Sequence, residues 1–272
     1  MKAILPIWLP GYDQLYGKLA PARIQVNKRG RSTTKPGTLL RKQIPIQTNQ
    51  WDETKPGFLE ADTVAHCGDS MAGMFIFTLD TVDIATGWTK QRAVWGKGET
   101  GILEQIKDIE KSLPFPLLGF DSDNGSEFLN YHLLRHFNQP VCFTRSRAYH
   151  KDDNAHIEQK NWTHIRQWIG YERLDNLNLV PLLNNLYKHE WRLFHNFFCP
   201  SVKLIAKERS KSKIIKRHDS PKTPYQRIIA STHVSDSVKT SLSKQLENLN
   251  PFLLKKAMEK KLKTIFSYIK PG

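Results

Sequence analysis

The chain has 272 residues, of which 39% are hydrophobic and 10% aromatic, enough for one packed domain with an appendage and too apolar for a disordered polymer. Its net charge of +15 is uneven: nine Lys/Arg against one acid in residues 1–50, 15 against 20 in residues 51–199, and 17 against five in residues 200–272. No run approaches the roughly 20 apolar residues of a membrane span, and three scattered cysteines without a CxxC pair exclude both a disulfide framework and a cysteine-rich zinc site.

In chain order, MKAILPIWLPGYDQ is broken by Pro6 and Pro10 and does not read as a signal peptide. Residues 1–50 are rich in Lys, Arg, Thr, Gly and Pro, which predicts an extended basic arm. From Gly57 the texture changes. GFLEADTVAHC reads as a strand, and MFIFTLDTVDIATGWTKQRAVW as two more turning near Thr86-Gly87, together a three-stranded meander. Ile102, Ile106 and Ile109 lie at helical spacing, and Pro114 ends that helix. PLLGFDSDNGSEF predicts a short buried strand and a turn, EFLNYHLLRHF a helix, and VCFTRS a fifth strand. Two helices follow, at about 154–169, with Asp153 or Asn154 as cap, and at about 177–198. The tail predicts a basic hairpin turning near Ser210–Ser212, a short docking segment TPYQRIIAS, and a Lys-rich amphipathic helix over 236–270 interrupted by Pro251. This order argues for an α/β domain with helices packed on a mixed sheet over 51–199, a basic arm before it and a basic hairpin and helical region, 200–272, after it.

An acidic middle between two basic arms needs a reason. The arms attract phosphate backbones, and metal ligation accounts for the acids. Asp62 sits inside a strand that is apolar on both sides. Asp123 stands where a buried strand meets the Asn124-Gly125 turn. Glu158 lies one turn into a helix beside Ala155, Ile157 and Trp162. Acids in such places are costly to bury unless paired or metal-bound. Three converging carboxylates suit two Mg²⁺ or Mn²⁺ ions and the phosphoryl transfer that such a pair catalyses.

At these residues the chain resembles the retroviral-type integrase catalytic core, and more closely the D-D-E transposases of bacterial insertion sequences. GFLEADTVAH, GFDSDNGSEF and NAHIEQKNW carry the resemblance, supported by SRAYHKDDNAHIEQKN and TPYQRII, over about residues 30–235. It implies a ribonuclease-H-like fold and a metal triad of Asp62, Asp123 and Glu158. It further implies DNA strand cleavage and strand transfer, double-stranded DNA (element ends and target) as partner, a homo-oligomer on DNA, and a cytoplasmic, nucleoid-associated setting. Transposases of this kind carry an N-terminal helix-turn-helix module. Residues 1–50 show no such helix pair, so a truncated copy is expected. The alternatives are a nuclease on the same fold and a catalytically silent DNA-binding remnant.

Other acids compete. Asp121 shares a strand face with Asp123 by period two, and Glu60 shares one with Asp62. Asp80 and Asp83 are expected to face solvent or a turn, and Glu127 to open the next helix, where its charge suits the dipole. Gly125 is expected to permit a backbone conformation that other residues resist. Lys151, His156, Lys160, Arg166, Lys213, Lys216 and Arg217 are the candidate DNA contacts. Tyr149 and Trp162 could stack on bases, with packing the stronger expectation for Trp162, and Trp88, Trp95, Trp168 and Trp191 are read as core.

Overall fold

Strand β1 (Phe58–Ala65) is the middle strand of a five-stranded sheet. In this computed structural model, residues 43–46, 51–52, 54–137, 141–147, 155–210 and 213–269 are described. β1 pairs antiparallel with β2 (Ile76–Asp83), which pairs antiparallel with β3 (Thr89–Trp95). The meander is therefore as the alternation predicts. Its tight turn is held by Asp83, whose Oδ2 accepts from the N–H and the hydroxyl of Thr86 at 2.7 and 2.6 Å. Gly87 closes that turn at φ 74°, a conformation costly for other residues.

Helix α1 (Glu99–Lys111) buries Ile102, Ile106 and Ile109, the stripe its spacing predicts. β4 (Gly119–Ser122) then runs parallel to β1, and β5 (Cys142–Arg145) runs parallel to β4. The sheet has the order β3-β2-β1-β4-β5, mixed as expected. Helix α2 (Tyr131–His136) begins four residues later than Glu127, because the side chain of Asn130 caps it by accepting from the Leu133 N–H at 2.9 Å.

Two long helices follow. α3 spans 155–169 and α4 spans 179–198, each with a wide π-helical stretch, Asn161–Arg166 and Tyr187–Trp191. The tail holds a ribbon, β6 (Leu204–Ser210) and β7 (Lys213–His218), then α5 (Pro224–Ala230), α6 (Asp236–Glu247) and α7 (Pro251–Phe266). The segment TPYQRII forms α5 because Thr223 and Gln226 make a reciprocal capping box ahead of Pro224. Pro251 starts α7 at a position where its missing N–H costs nothing, so it divides the predicted tail helix in two.

Side chains alternate across the sheet. Leu59, Ala61, Phe77 and Leu79 join Ile102, Ile106, Ile109 and Leu133 on one face. Val64, Ile76 and Ala93 join Ile165, Ile169, Leu183 and Trp191 on the other. Met258, Leu262 and Ile265 of α7 belong to that second cluster, so packing crosses position 199. The arm expected over 1–50 lies outside the described residues except at 43–46. There Ile44 is fully buried and Ile46 bridges Arg145. Among the described residues, no helix is long and apolar enough to cross a membrane.

Candidate active site

The parallel pairing of β1 and β4 brings Asp62 and Asp123 to one sheet edge. Ala61 pairs with Ser122 as the last pair of that parallel ladder, so each acid is the next residue of its chain beyond it. Both are half-buried and keep surface open. Asp62 Oδ1 accepts from the Thr63 N–H and Oδ2 from the Asn161 side chain, both at 2.7 Å. Its carboxyl is nevertheless pushed up to about 7, first by burial and then by the nearby negative charge of Asp123. Asp123 Oδ1 accepts from the Gly125 N–H at 2.9 Å.

Glu158 is exposed on α3, and among the described residues no three His, Cys, Asp or Glu side chains gather closely enough to hold a metal ion. The sequence-predicted triad is thus brought together as a pair with its third member apart. The reason lies in the helix phase. Ile157 and Lys160 point inward, so Glu158, about 100° further round from Ile157, points out. Asn161, one turn after Glu158 and near the same face, is the residue that reaches Asp62. Glu60, the acid on the face of Asp62, accepts from the Ile157 N–H at 3.0 Å and so secures the first turn of α3.

Several expectations for neighbouring residues are corrected. Asp80 faces neither solvent nor a turn: it pairs across the strands with Asp62 and is fully buried. Gln91 donates to its Oδ1 at 2.8 Å, while its Oδ2 has no hydrogen-bond partner. Burial pushes its carboxyl up to about 8 against the pull of Gln91 and Lys160. Asp83, by contrast, serves the turn as expected, though it is buried there. Asp121 is fully buried and accepts from the Thr144 hydroxyl at 2.6 Å, away from an open edge. Glu127 precedes its helix instead of opening it. Its buried carboxylate takes the Thr63 hydroxyl at 3.1 Å and the ammonium of Lys97, a cation whose field also reaches Asp62. Gly125 is absent from the positive-φ glycines. It is needed for closeness, since a Cβ there would stand 2.5 Å from Glu127 Oε2 and 2.9 Å from Asp123 Oδ1.

The candidate DNA contacts divide. Lys160 is only 5% exposed and turns inward towards Asp80, so it cannot present its charge to a phosphate. Arg166 donates to the carbonyls of Ala65 and Gly170 at 2.7 and 3.1 Å and lies over the Tyr171 ring, which makes it a brace between α3 and β1. His156, Lys216 and Arg217 are exposed. Lys151 and Tyr149 lie outside the described residues, as do the proposed caps Asp153 and Asn154 and the side chain of Lys213. Trp162 is 42% exposed and is not core, whereas Trp88 and Trp191 are. Sequence reasoning missed Lys97, Gln91 and the inward turn of Asp80. Only the β1–β2 register places the last opposite Asp62.

No family model matches the chain. The chain is similar to the uncharacterized protein y4rM of Sinorhizobium fredii, with 37% identity over 250 residues, covering 84% of this chain and 71% of that protein. Among solved structures it is similar to the catalytic core domain of BIV integrase, with a TM-score of 0.43 and 12% identity over 65% of this chain and 96% of that one.

Proposed function

We propose, for a chain that belongs to the family of the Sinorhizobium fredii protein y4rM, the function of a metal-dependent polynucleotidyl transferase that cuts and joins DNA strands, as a transposase or integrase does. The observation that carries it is the pair Asp62 and Asp123. These two carboxylates reach the surface at one sheet edge, close enough for one to raise the other. A hard divalent cation, Mg²⁺ or Mn²⁺, relieves that repulsion, and all-oxygen donors are what it takes. Asp62 and Asp123 would hold it, and Glu158, which faces outward one turn before Asn161 on α3, would have to swing toward them to supply a third carboxylate for a pair of ions. Such ions, when bound, polarise a phosphodiester and ready an attacking oxygen.

The chain's own groups prepare this edge. Asn161 and the Thr63 N–H each hold one oxygen of Asp62, and the Gly125 N–H orients Asp123. Lys97, tied to Glu127, lends positive charge beside Asp62. Glu60 and Arg166 fix α3 against β1, so Asn161 cannot drift from Asp62. DNA is the substrate that suits an acidic middle flanked by regions of net +8 and +12, from nine bases less one acid and 17 less five. Joining two element ends calls for more than one active site, hence a homo-oligomer on the DNA.

The test is nicking of supercoiled plasmid with Mn²⁺, and joining of a labelled duplex to it, by the wild type and by Asp123→Asn. The wild type nicks and joins, and the variant does neither. Equal nicking by both overturns the site. Nicking without joined product by the wild type reduces the function to a nuclease.

A further inference from the structure

The β6–β7 ribbon arranges its charges by side. Its register pairs Ala206 with Arg217, Lys207 with Lys216, Glu208 with Ile215 and Arg209 with Ile214. Directly paired residues share a side and alternate along the strand. One side therefore carries Lys207, Arg209, Ile214 and Lys216. The other carries Ala206, Glu208, Ile215 and Arg217. Glu208 is the one acid within residues 204–218, and it lies on the second side, 3.9 Å from the Arg217 guanidinium. On the first side Lys207 and Lys216 stand directly opposite each other. Like charges so placed cost stability unless something anionic lies across them. All four residues of that side are exposed, Ile214 at 56%.

The ribbon stands on a fixed base. Asp219, just past β7, accepts from the Lys203 N–H at 2.6 Å and from Arg227 at 2.5 and 3.2 Å, while the Asp219 N–H donates to the Lys203 carbonyl at 2.9 Å. Arg227 also donates to the Ser201 carbonyl, and the Lys203 ammonium donates to the carbonyls of Ile84 and Ala85 in the β2–β3 turn. Beyond this clamp about six paired positions extend for roughly 20 Å. The major groove of B-DNA, about 12 Å wide, admits a two-stranded ribbon.

We infer that the Lys207–Arg209–Lys216 side of the ribbon is a docking face for duplex DNA, an inference that rests on the polynucleotide reading above. It divides residues that the sequence presents together. Lys216 and Arg217 are adjacent, yet only Lys216 is on the docking side, and Lys207 and Arg209 join it from the other strand. Charge favours DNA over an apolar partner, since this side carries three cations to one isoleucine.

The test compares neighbours of equal charge. Binding of a short fluorescein-labelled duplex is followed by anisotropy across a salt series for the wild type, Lys216→Gln, Arg217→Gln and Lys207→Gln/Lys216→Gln. Each phosphate contact contributes about 0.9 to the slope of log K against log salt. Lys216→Gln lowers the slope by about 0.9 and the double variant by about 1.8, while Arg217→Gln leaves it unchanged. Equal loss from Lys216→Gln and Arg217→Gln overturns the sided face, leaving net charge alone. A double variant that binds like the wild type, with plasmid nicking still dependent on Asp123, overturns the ribbon and spares the catalytic reading. A wild type that binds no duplex overturns both. Wild-type binding by the double variant, with a dimer-to-monomer shift when the ribbon's exposed Ile205 and Ile214, at 68% and 56%, are replaced in Ile205→Asp/Ile214→Asp, assigns the ribbon to a second copy of the chain and likewise overturns the inference.

Discussion

Gly125→Ala tests whether the candidate site is as crowded as its geometry states. An added Cβ would meet Glu127 Oε2 at 2.5 Å, Glu127 Cδ at 2.6 Å and Asp123 Oδ1 at 2.9 Å. Comfortable separations are nearer 3.5 Å, so the Glu127 carboxylate must retreat by about 1 Å. It has little room to do so, being 2% exposed and held by Thr63 and Lys97. Overpacking of this kind costs about 1–3 kcal/mol. The assay is urea unfolding of four proteins: wild type, Gly125→Ala, Glu127→Ala and the double variant. Truncating Glu127 removes the nearer clash, so the cost of Gly125→Ala falls by at least about 1 kcal/mol in the Glu127→Ala background, a coupling typical of residues in contact. A cost for Gly125→Ala below about 0.5 kcal/mol, or one equal in both backgrounds, would refute the crowding.

Two further outcomes are expected. Met258→Ala, at a fully buried position in the cluster shared with Trp191 and Ile265, destabilises the chain by about 2–5 kcal/mol in urea unfolding; a loss below about 1 kcal/mol would mean that α7 is not integral to the core. Asp219→Asn loosens the ribbon's base, costing about 1–2 kcal/mol at pH 7. Burial alone would raise the Asp219 carboxyl, but its bonds to Arg227 and the Lys203 N–H outweigh burial and hold it below 3.8. A depressed carboxylate stabilises above its unfolded value and loses that contribution as pH falls through its folded one. The melting-temperature gap between wild type and Asp219→Asn therefore closes below about pH 4, and a gap that widens on acidification contradicts the ion pair.

Local chemistry was legible in the chain itself. The alternation of GFLEADTVAHC and its partners predicts three strands, the Ile102–Ile106–Ile109 spacing predicts α1, and the Lys-rich segment around Ser210 predicts a hairpin, because each depends on residues a few positions apart. The acids Asp62 and Asp123 stood out for a similar reason: the first is a charge inside an apolar strand and the second a charge where a buried strand meets a turn. What crosses between elements was not legible. Asp80 lies opposite Asp62 through a register that no short window contains. Lys160 and Trp162 stand two residues apart on one helix, and it was the sheet packed beneath α3, not their polarity, that turned the lysine in and the tryptophan out. Glu127 became a partner of Lys97 because Asn130 took the cap and delayed the helix. Periodicity determines which residues can share a face. Only the packed layers decide which face is covered, since burial is a property of neighbours far apart in the chain.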